Sequence, residues 1–166
     1  MAEANAYAAA HGLRGFAASQ PEFNLARKSK VNPDPATDAS HGRSMLFLEE
    51  PDQAWHRRSA MPVVPYSSNA RGYFASGGVR AKAAYDNPVS RERLARAQAL
   101  ARELNGTAGQ VALAWLMHQP FPVFPLVGSC NPEHLREDLG AAAIRLTPAQ
   151  VAQLTAEPAA VMPADR

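Results

Sequence analysis

Two successive stretches of the chain have apolar positions at helical spacing. Over residues 90–104 the apolar side chains on one face are Leu94, Ala97, Ala101 and Leu104. Such a stripe predicts an amphipathic helix, which an Asn-Gly pair then ends. Thr107 and Gln110 match a capping box, so a second helix is predicted to begin there and to run to about Met117. Its apolar stripe consists of Val111, Ala114, Trp115 and His118.

Caps and composition predict four further helices, over residues 2–11, 45–59, 131–139 and from Thr147 onward. Pro51 is expected to kink or divide the second of these. Asn131 is the predicted N-cap of the third helix, and Gly140 is expected just past its end. In the fourth, Thr147 and Gln150 repeat the capping-box pattern.

Three short apolar runs, at 16–19, 61–66 and 122–127, are predicted to be buried strands. Continuous apolar strands that alternate with helices favour parallel strands covered by helices. Pro62 and Pro65 limit the ladder bonds of the second run, so we expect them at its ends. Three strands are too few for a closed barrel, which needs about eight. A missing part is therefore expected N-terminal to this chain. The polar stretch 26–44 is long for a loop and predicts a flexible segment.

Composition and charge narrow the functional classes. The 166 residues fit one domain, 1–166, and a net charge of +2 with no basic block beyond 26–30 argues against nucleic-acid binding. The single cysteine, Cys130, excludes an internal disulfide and suits a reducing compartment. No apolar stretch reaches the roughly 18 residues of a membrane span. The N-terminus also lacks signal-peptide features, so a cytoplasmic protein is expected. The five histidines are scattered, which argues against a zinc site.

Each predicted strand is followed by a turn rich in small polar residues, at 19–24, 66–74 and 128–134. In parallel sheets and barrels such turns form the ligand-binding edge. Gly128 and Ser129, beside the free amides of the following helix, suit a phosphate, although most helix starts bind nothing. Tyr66 either stacks on a planar ring or caps the core. Arg71 either reaches an acid or is solvated, and Gln20 either pairs with a carboxamide or bonds its own backbone.

Four stretches agree in order and spacing with one family. They are "AEANAYAAAHGL" at 2–13, "ASQPEFNL" at 18–25, "MPVVPYSSNARGYF" at 61–74 and "QVALAWLMHQPFPVFPLVGSCNPEHLREDLGAAAIRLTPAQVAQL" at 110–154. Together they resemble the C-terminal portion of the aldo/keto reductases, over nearly the whole chain. The resemblance implies an α/β fold, a partial (β/α)8 TIM barrel made of the last three parallel strands with their covering helices.

The resemblance also implies a function and a cofactor site. Members of the family move a hydride from NADPH to a small carbonyl substrate, and also catalyse the reverse alcohol oxidation. From the nicotinamide end to the adenine end, the implied cofactor-binding residues are Gln20 (carboxamide), Tyr66 (ring stacking), Ser67 and Ser68 (pyrophosphate), Gly128 and Ser129 (adenosine phosphate), His134 (2′-phosphate), and Glu137 and Asp138 (adenine).

Three of these residues depart from the family pattern. Gly128 and His134 stand where the family often has a permanent cation, and Asp138 lacks the amide donor of the usual asparagine. Charged donors bind phosphate about twice as strongly as neutral ones. The choice between NADP and NAD therefore stays open.

The larger departure concerns catalysis. The family's catalytic Asp, Tyr, Lys and His lie on its first four strands, and no residue of this chain matches them. The isolated chain is therefore predicted to be inactive and to bind the cofactor weakly or not at all. The alternative is a non-catalytic nucleotide-binding or interaction fragment that needs a partner chain to complete the barrel. Open strand edges also predict self-association.

Overall fold

The computed structural model describes residues 1–29 and 47–157. The α-helices in these ranges are α1 (Ala2–Ala10), α2 (Glu50–Ser59), α3 (Lys82–Tyr85), α4 (Pro88–Glu103), α5 (Ala108–Met117), α6 (Pro132–Gly140) and α7 (Pro148–Thr155). Two 3-10 turns, Ala70–Gly72 and Ala141–Ala143, accompany them. The predicted flexible segment, 26–44, lies outside the described residues except for its first four positions.

Four extended segments lie side by side in parallel. The pairs that join them are Ser19 with Val63, Glu22 with Tyr66, Glu22 with Phe47, and Val63 with Val123. The order across the layer is therefore 47–48, 19–22, 63–66 and 123–126. These are isolated bridges, and no continuous strand forms within the described residues. Phe47 was expected in a helix and Phe16 in a buried strand. Both expectations are wrong, since Phe47 pairs with Glu22 and Phe16 is exposed.

Prolines explain why the predicted strands are reduced to bridges. The amide of Val64 donates to Ser19 O at 2.8 Å, and the amide of Tyr66 donates to Pro21 O at 3.1 Å. The parallel pattern requires a bond between these two, donated by residue 21, and Pro21 has no N–H to give. Pro65 interrupts the pairing with the 123–126 segment in the same way. Pro65 thus lies inside the pairing and not at an end of the run, where we had expected it.

Local capping chemistry sets most helix boundaries. The side chain of Asn87 accepts the Ser90 amide at 3.0 Å, so α4 begins at Pro88, two residues earlier than predicted. Both predicted capping boxes are present, at the starts of α5 and α7. Pro51 lies in the first turn of α2, where its missing N–H costs nothing, so it neither kinks nor divides the helix. Gly140 is the last residue of α6 and not a residue beyond it.

The core lies between the extended segments and helices α4 and α5. The α5 residues from Val111 to Leu116 are all buried, so this helix is enclosed more completely than its predicted stripe indicated. The ring of Phe23 lies 5.3 Å from that of Trp115 and 6.3 Å from that of Phe121. On α4, the buried Arg93 donates to Leu25 O at 2.9 Å and to Thr155 O at 3.0 Å. These contacts join the 19–29 region to the end of α7.

Candidate functional site

The extended segment 63–66 ends in a turn at residues 67–72 that contains several left-handed residues. The φ angles are +53° at Ser67, +50° at Ala70 and +53° at Arg71. Each such residue costs about 1–2 kcal/mol unless the surroundings hold it in place. Here the amide of Ala70 donates to Ser67 O at 2.8 Å, and the Asn24 side chain donates to the same oxygen at 3.2 Å. These bonds hold Asn69 and Arg71 at the rim of a cleft.

The opposite side of that cleft is the start of α6. The hydroxyl oxygen of Ser129 accepts the Asn131 amide at 3.1 Å, and the Asn131 side chain accepts the Glu133 amide at 2.9 Å. Asn131 is thus the N-cap that the sequence predicted. No atom lies within 4 Å of the position that a Cβ would occupy on Gly128. The backbone before α6 is therefore open to the approach of another molecule.

The turn and the helix enclose a polar cleft of 480 Å³. It is lined by Asn69, Arg71, Gly72, Ala75, Ser76, Arg80, Gly128, Ser129, His134, Glu137 and Asp138. The structure thus brings together five of the predicted site residues, those expected at the adenosine end. Asn69 and Arg80 were not anticipated, and Arg71 was considered only as a residue that could reach an acid.

The cleft has charges of both signs. Burial and the nearby Glu137 raise the pKa of Asp138, while a hydrogen bond from Asn69 opposes that rise. The Asn69 contact joins the 67–72 turn to α6. Arg71 and Arg80 are both exposed, and neither forms an ion pair with another described residue. The turn side of the cleft is thus positive, and the α6 side is negative beyond its first turn.

The other predicted site residues do not line this cleft. Gln20 is exposed and lies within the 19–22 segment. The adjacent segment ends at Tyr66, which is half-buried and whose pKa is raised by burial and by Glu22, and lowered by Arg71. Ser67 occupies a left-handed position, and the buried hydroxyl of Ser68 donates to Pro65 O at 2.9 Å. Tyr66 lies at the carboxyl end of its segment and Ser129 just beyond the end of the neighbouring one, whereas Gln20 lies two residues before Glu22, the last bridged residue of the 19–22 segment.

A buried polar cluster near Tyr66 was also missed. The fully buried carboxylate of Glu22 accepts hydrogen bonds from the Tyr85 hydroxyl and, at 2.7 Å, from Lys28 Nζ. Asn24 Nδ2 lies 3.4 Å from the same Tyr85 hydroxyl. There was little sign of it in the sequence, because Glu22 lies in the stretch 19–24 that we predicted to be a polar turn.

Two types of site are not found in residues 1–29 and 47–157. No helix there is both long and apolar enough to cross a membrane. Nor do three side chains among histidine, cysteine, aspartate and glutamate come together as a metal centre would require.

Comparison with known proteins identifies the family. A family model described as Aldo/keto reductase family matches residues 3–157. The chain is 24% identical over 146 residues to "Probable aldo-keto reductase 1" of Glycine max, an alignment that covers 80% of this chain and 42% of that protein. A thermostable aldo-keto reductase, crystallised with the inhibitor epalrestat, resembles it with a TM-score of 0.55 at 18% identity, over 90% of this chain and 43% of that one. The chain thus spans less than half the length of these relatives. Because the family model matches most of its length, the chain belongs to the aldo/keto reductase family, a family of oxidoreductases with the TIM-barrel fold.

Proposed function

We propose that this chain is the cofactor-binding portion of an NADP(H)-dependent aldo/keto reductase, which interconverts small carbonyl compounds and alcohols. The observation that supports this most directly is the shared edge of the parallel segments. Tyr66 lies at the end of one segment and Ser129 just beyond the end of its neighbour, with the polar cleft beside Ser129. Gln20 lies on the adjoining segment, two residues before its last bridge. Ligands bind at this edge of parallel α/β folds. The three paired segments at 19–22, 63–66 and 123–126 correspond, in this proposal, to the last three barrel strands.

The residues present fit a nicotinamide dinucleotide in parts. The cleft has the volume of a small-ligand site, and its open backbone at Gly128, the first amides of α6 and the arginines of the opposite wall suit an adenosine phosphate. His134, Glu137 and Asp138 would surround the adenine and its ribose. When bound, the nicotinamide gives or accepts a hydride.

The chain's own residues would hold and orient the remainder of the cofactor. The exposed amide of Gln20 can donate to and accept from a carboxamide at the same time. Tyr66 presents a flat ring at a segment end, which suits stacking. The backbone of Ser67 and Ser68, held by bonds to the neighbouring segments, would lie along the pyrophosphate. No catalytic residue is proposed within this chain, since nothing in it corresponds to the family's proton donor and its partners.

This proposal predicts weak cofactor binding and no turnover by the isolated chain, because the cleft contains only part of the pocket. NADPH consumption with aldehydes, sugars and ketones should stay at the background rate. Measured by saturation-transfer NMR, NADPH should bind with a dissociation constant of about 1 mM, which corresponds to a binding free energy of about −4 kcal/mol. Replacing Tyr66 with alanine should reduce saturation of the nicotinamide protons and spare those of adenine. The exposed Tyr7, replaced in the same way, is the control.

Two results would contradict the proposal. If NADPH receives no saturation transfer at concentrations several times the expected dissociation constant, the cofactor assignment fails. A micromolar dissociation constant would instead show that this chain alone completes the pocket, and the part about weak binding would be wrong. Reversed effects of the two tyrosine variants would remove Tyr66 from the site.

One observation favours a second candidate function, a fragment that works by pairing with another chain. The 123–126 segment is bridged on one side only among the described residues, and Phe124 and Leu126 on it are 61% and 44% exposed. Such an edge can add a strand from a partner or from a second copy. Size-exclusion chromatography with light scattering tests this. We expect an apparent mass that rises with concentration. A constant monomer mass would exclude self-association.

A further inference from the structure

The two walls of the cleft differ in charge. The α6 wall contributes Glu137 and Asp138 and, apart from His134, has no basic side chain in the cleft. The opposite wall, built from the turn at 67–72 and the loop after it, contributes Arg71 and Arg80. The permanently charged side chains that could bind an anionic group near the start of α6 are therefore these two arginines across the cleft, and not residues of α6.

Arg80 is placed for that contact by two features of its loop. Its backbone amide donates to the Ser76 hydroxyl oxygen at 2.9 Å, and this bond fixes the backbone of Arg80 relative to the preceding loop. Its side chain then lies over Gly72, because a Cβ at that position would come 3.4 Å from Arg80 Cδ and 3.9 Å from Nη1. Gly72 has a φ of +81°, and because it has no Cβ it leaves room for the Arg80 side chain. The guanidinium has no ion-pair partner in the part of the chain that the structure describes.

Arg71 differs from Arg80 in its surroundings. Its positive charge offsets part of the rise in the pKa of Tyr66 and of Tyr85, so it also acts on the segment end where the buried Glu22 lies. Arg80 does not act on either of these two phenols in this way. Of the two arginines, Arg80 is therefore the one that we infer to be available to a ligand in the cleft. A free guanidinium can bind a phosphate through two parallel hydrogen bonds.

We propose that Arg80 is the residue that binds the 2′-phosphate of NADP(H) in this chain, across the cleft from Ser129, and that it gives the site a preference for NADP(H) over NAD(H). This inference rests on the proposed function, since it takes the cleft to be the adenosine end of a dinucleotide site. It assigns the discriminating charge to a residue on the loop after the 67–72 turn, while His134 on α6 makes a smaller contribution. NAD(H) has a hydroxyl where NADP(H) has the phosphate, and Arg80 would gain little from it.

The test uses adenosine fragments, because the cleft is formed entirely by residues of this chain. Adenosine 2′-monophosphate, adenosine 5′-monophosphate and adenosine 2′,5′-bisphosphate are titrated into the intact 166-residue chain and followed by NMR chemical shifts. Arg80→Gln should weaken binding of both 2′-phosphate ligands about tenfold and leave adenosine 5′-monophosphate nearly unchanged. Arg80→Lys keeps the charge and loses the paired geometry, so it should recover part of the affinity.

Two further variants serve as matched controls. Arg102→Gln removes an exposed arginine of α4 outside the cleft and should not alter any of the titrations. His134→Gln should change the affinity for the 2′-phosphate ligands less than Arg80→Gln does. Far-UV circular dichroism and the thermal midpoint of each variant show whether it is folded.

The outcomes separate this inference from the proposed function. If the fragments bind but folded Arg80→Gln behaves like Arg102→Gln, the role of Arg80 is wrong and the cofactor site survives. A dominant effect of His134→Gln would likewise overturn it. If none of the three fragments shifts the resonances of cleft residues at about 10 mM, where binding would be worth less than about 3 kcal/mol, both the inference and the cofactor assignment fail.

Discussion

The fully buried carboxylate of Glu22 accepts a hydrogen bond from the ammonium group of Lys28, with 2.7 Å between Oε2 and Nζ. Lys28 is partly exposed, whereas Glu22 has no contact with water. Removing the lysine would therefore leave an uncompensated charge in the interior. Tyr85, whose hydroxyl also donates to Glu22, would be the carboxylate's main remaining partner.

We expect Lys28→Met to lower the free energy of unfolding by about 3 kcal/mol, the usual cost of breaking a buried ion pair on one side. The double variant Glu22→Gln with Lys28→Met should recover most of that loss, because the amide needs no counter-charge. Urea denaturation of the single and double variants measures the difference. Equal stability of the two variants would mean that the pair is solvated.

Arg93 gives a second prediction about stability. Its guanidinium bonds the carbonyls of Leu25 and Thr155, so Arg93→Met would leave two carbonyl groups without their donors. We expect a loss of about 3 kcal/mol, from two hydrogen bonds to a charged group of about 1.5 kcal/mol each. Arg102→Met, at an exposed position of the same helix, should change stability by less than about 0.5 kcal/mol. Similar losses in both variants would refute the structural role of Arg93.

The tyrosines predict how stability changes at alkaline pH. Burial, together with Asp86, raises the pKa of Tyr73 to about 12, and burial with Glu22 raises that of Tyr85 further. The folded state thus retains protons that the unfolded state loses near pH 10. By linkage, the stabilising contribution is complete below about pH 10 and declines as pH rises towards 12 and beyond.

Absorbance at 295 nm and circular dichroism, recorded on the same alkaline titration, check this expectation. Ionisation of the buried phenols should coincide with unfolding. Tyr73→Phe should make the loss of stability between pH 9 and 11 less steep, while Tyr7→Phe, at an exposed position, should not. Complete ionisation of all four tyrosines with an intact fold would contradict the prediction.

The pKa of Asp138 shifts on folding in the direction opposite to that of most carboxyl groups in proteins. Its pKa in the folded state is raised, chiefly by burial and then by Glu137, so the protonated form is favoured by folding. The associated stability is present at low pH and is lost as pH rises through the folded-state pKa. Asp138→Asn should therefore raise the thermal midpoint at pH 7 and leave it nearly unchanged at pH 3. A lower midpoint at pH 7 would show that the ionised carboxylate is stabilising.

Helix starts were the features most accessible from sequence. Asn87, Thr107, Asn131 and Thr147 each bond amides within three residues of themselves, so their effect depends on local chain geometry alone. At α4 the predicted start was wrong because the N-cap Asn87, which directly precedes Pro88, had been overlooked. At α2 no described side chain caps the N-terminus, so no local signal marked its start. Strand extent was less accessible. Whether Pro21 or Pro65 interrupts pairing depends on which side of the segment faces a neighbour, and that is a matter of register.

The candidate site likewise contains residues that are close in the sequence and residues that only the fold brings to it. Gly128, Ser129, His134, Glu137 and Asp138 are close in sequence and meet in one cleft, whereas Arg80 reaches it from a loop about fifty residues earlier. Its approach depends on the left-handed turn before it and on the space above Gly72.

The amino-acid sequence by itself determined the family of this protein, the helix caps and the polar character of the turns at the segment ends. These depend on residue identity and on bonds between near neighbours. Only the tertiary structure decided which arginines line the cleft with Ser129, which tyrosine lies against Glu22 and how far the parallel pairing extends. Those contacts join residues that are distant in the chain, and their geometry is set by packing of the whole core.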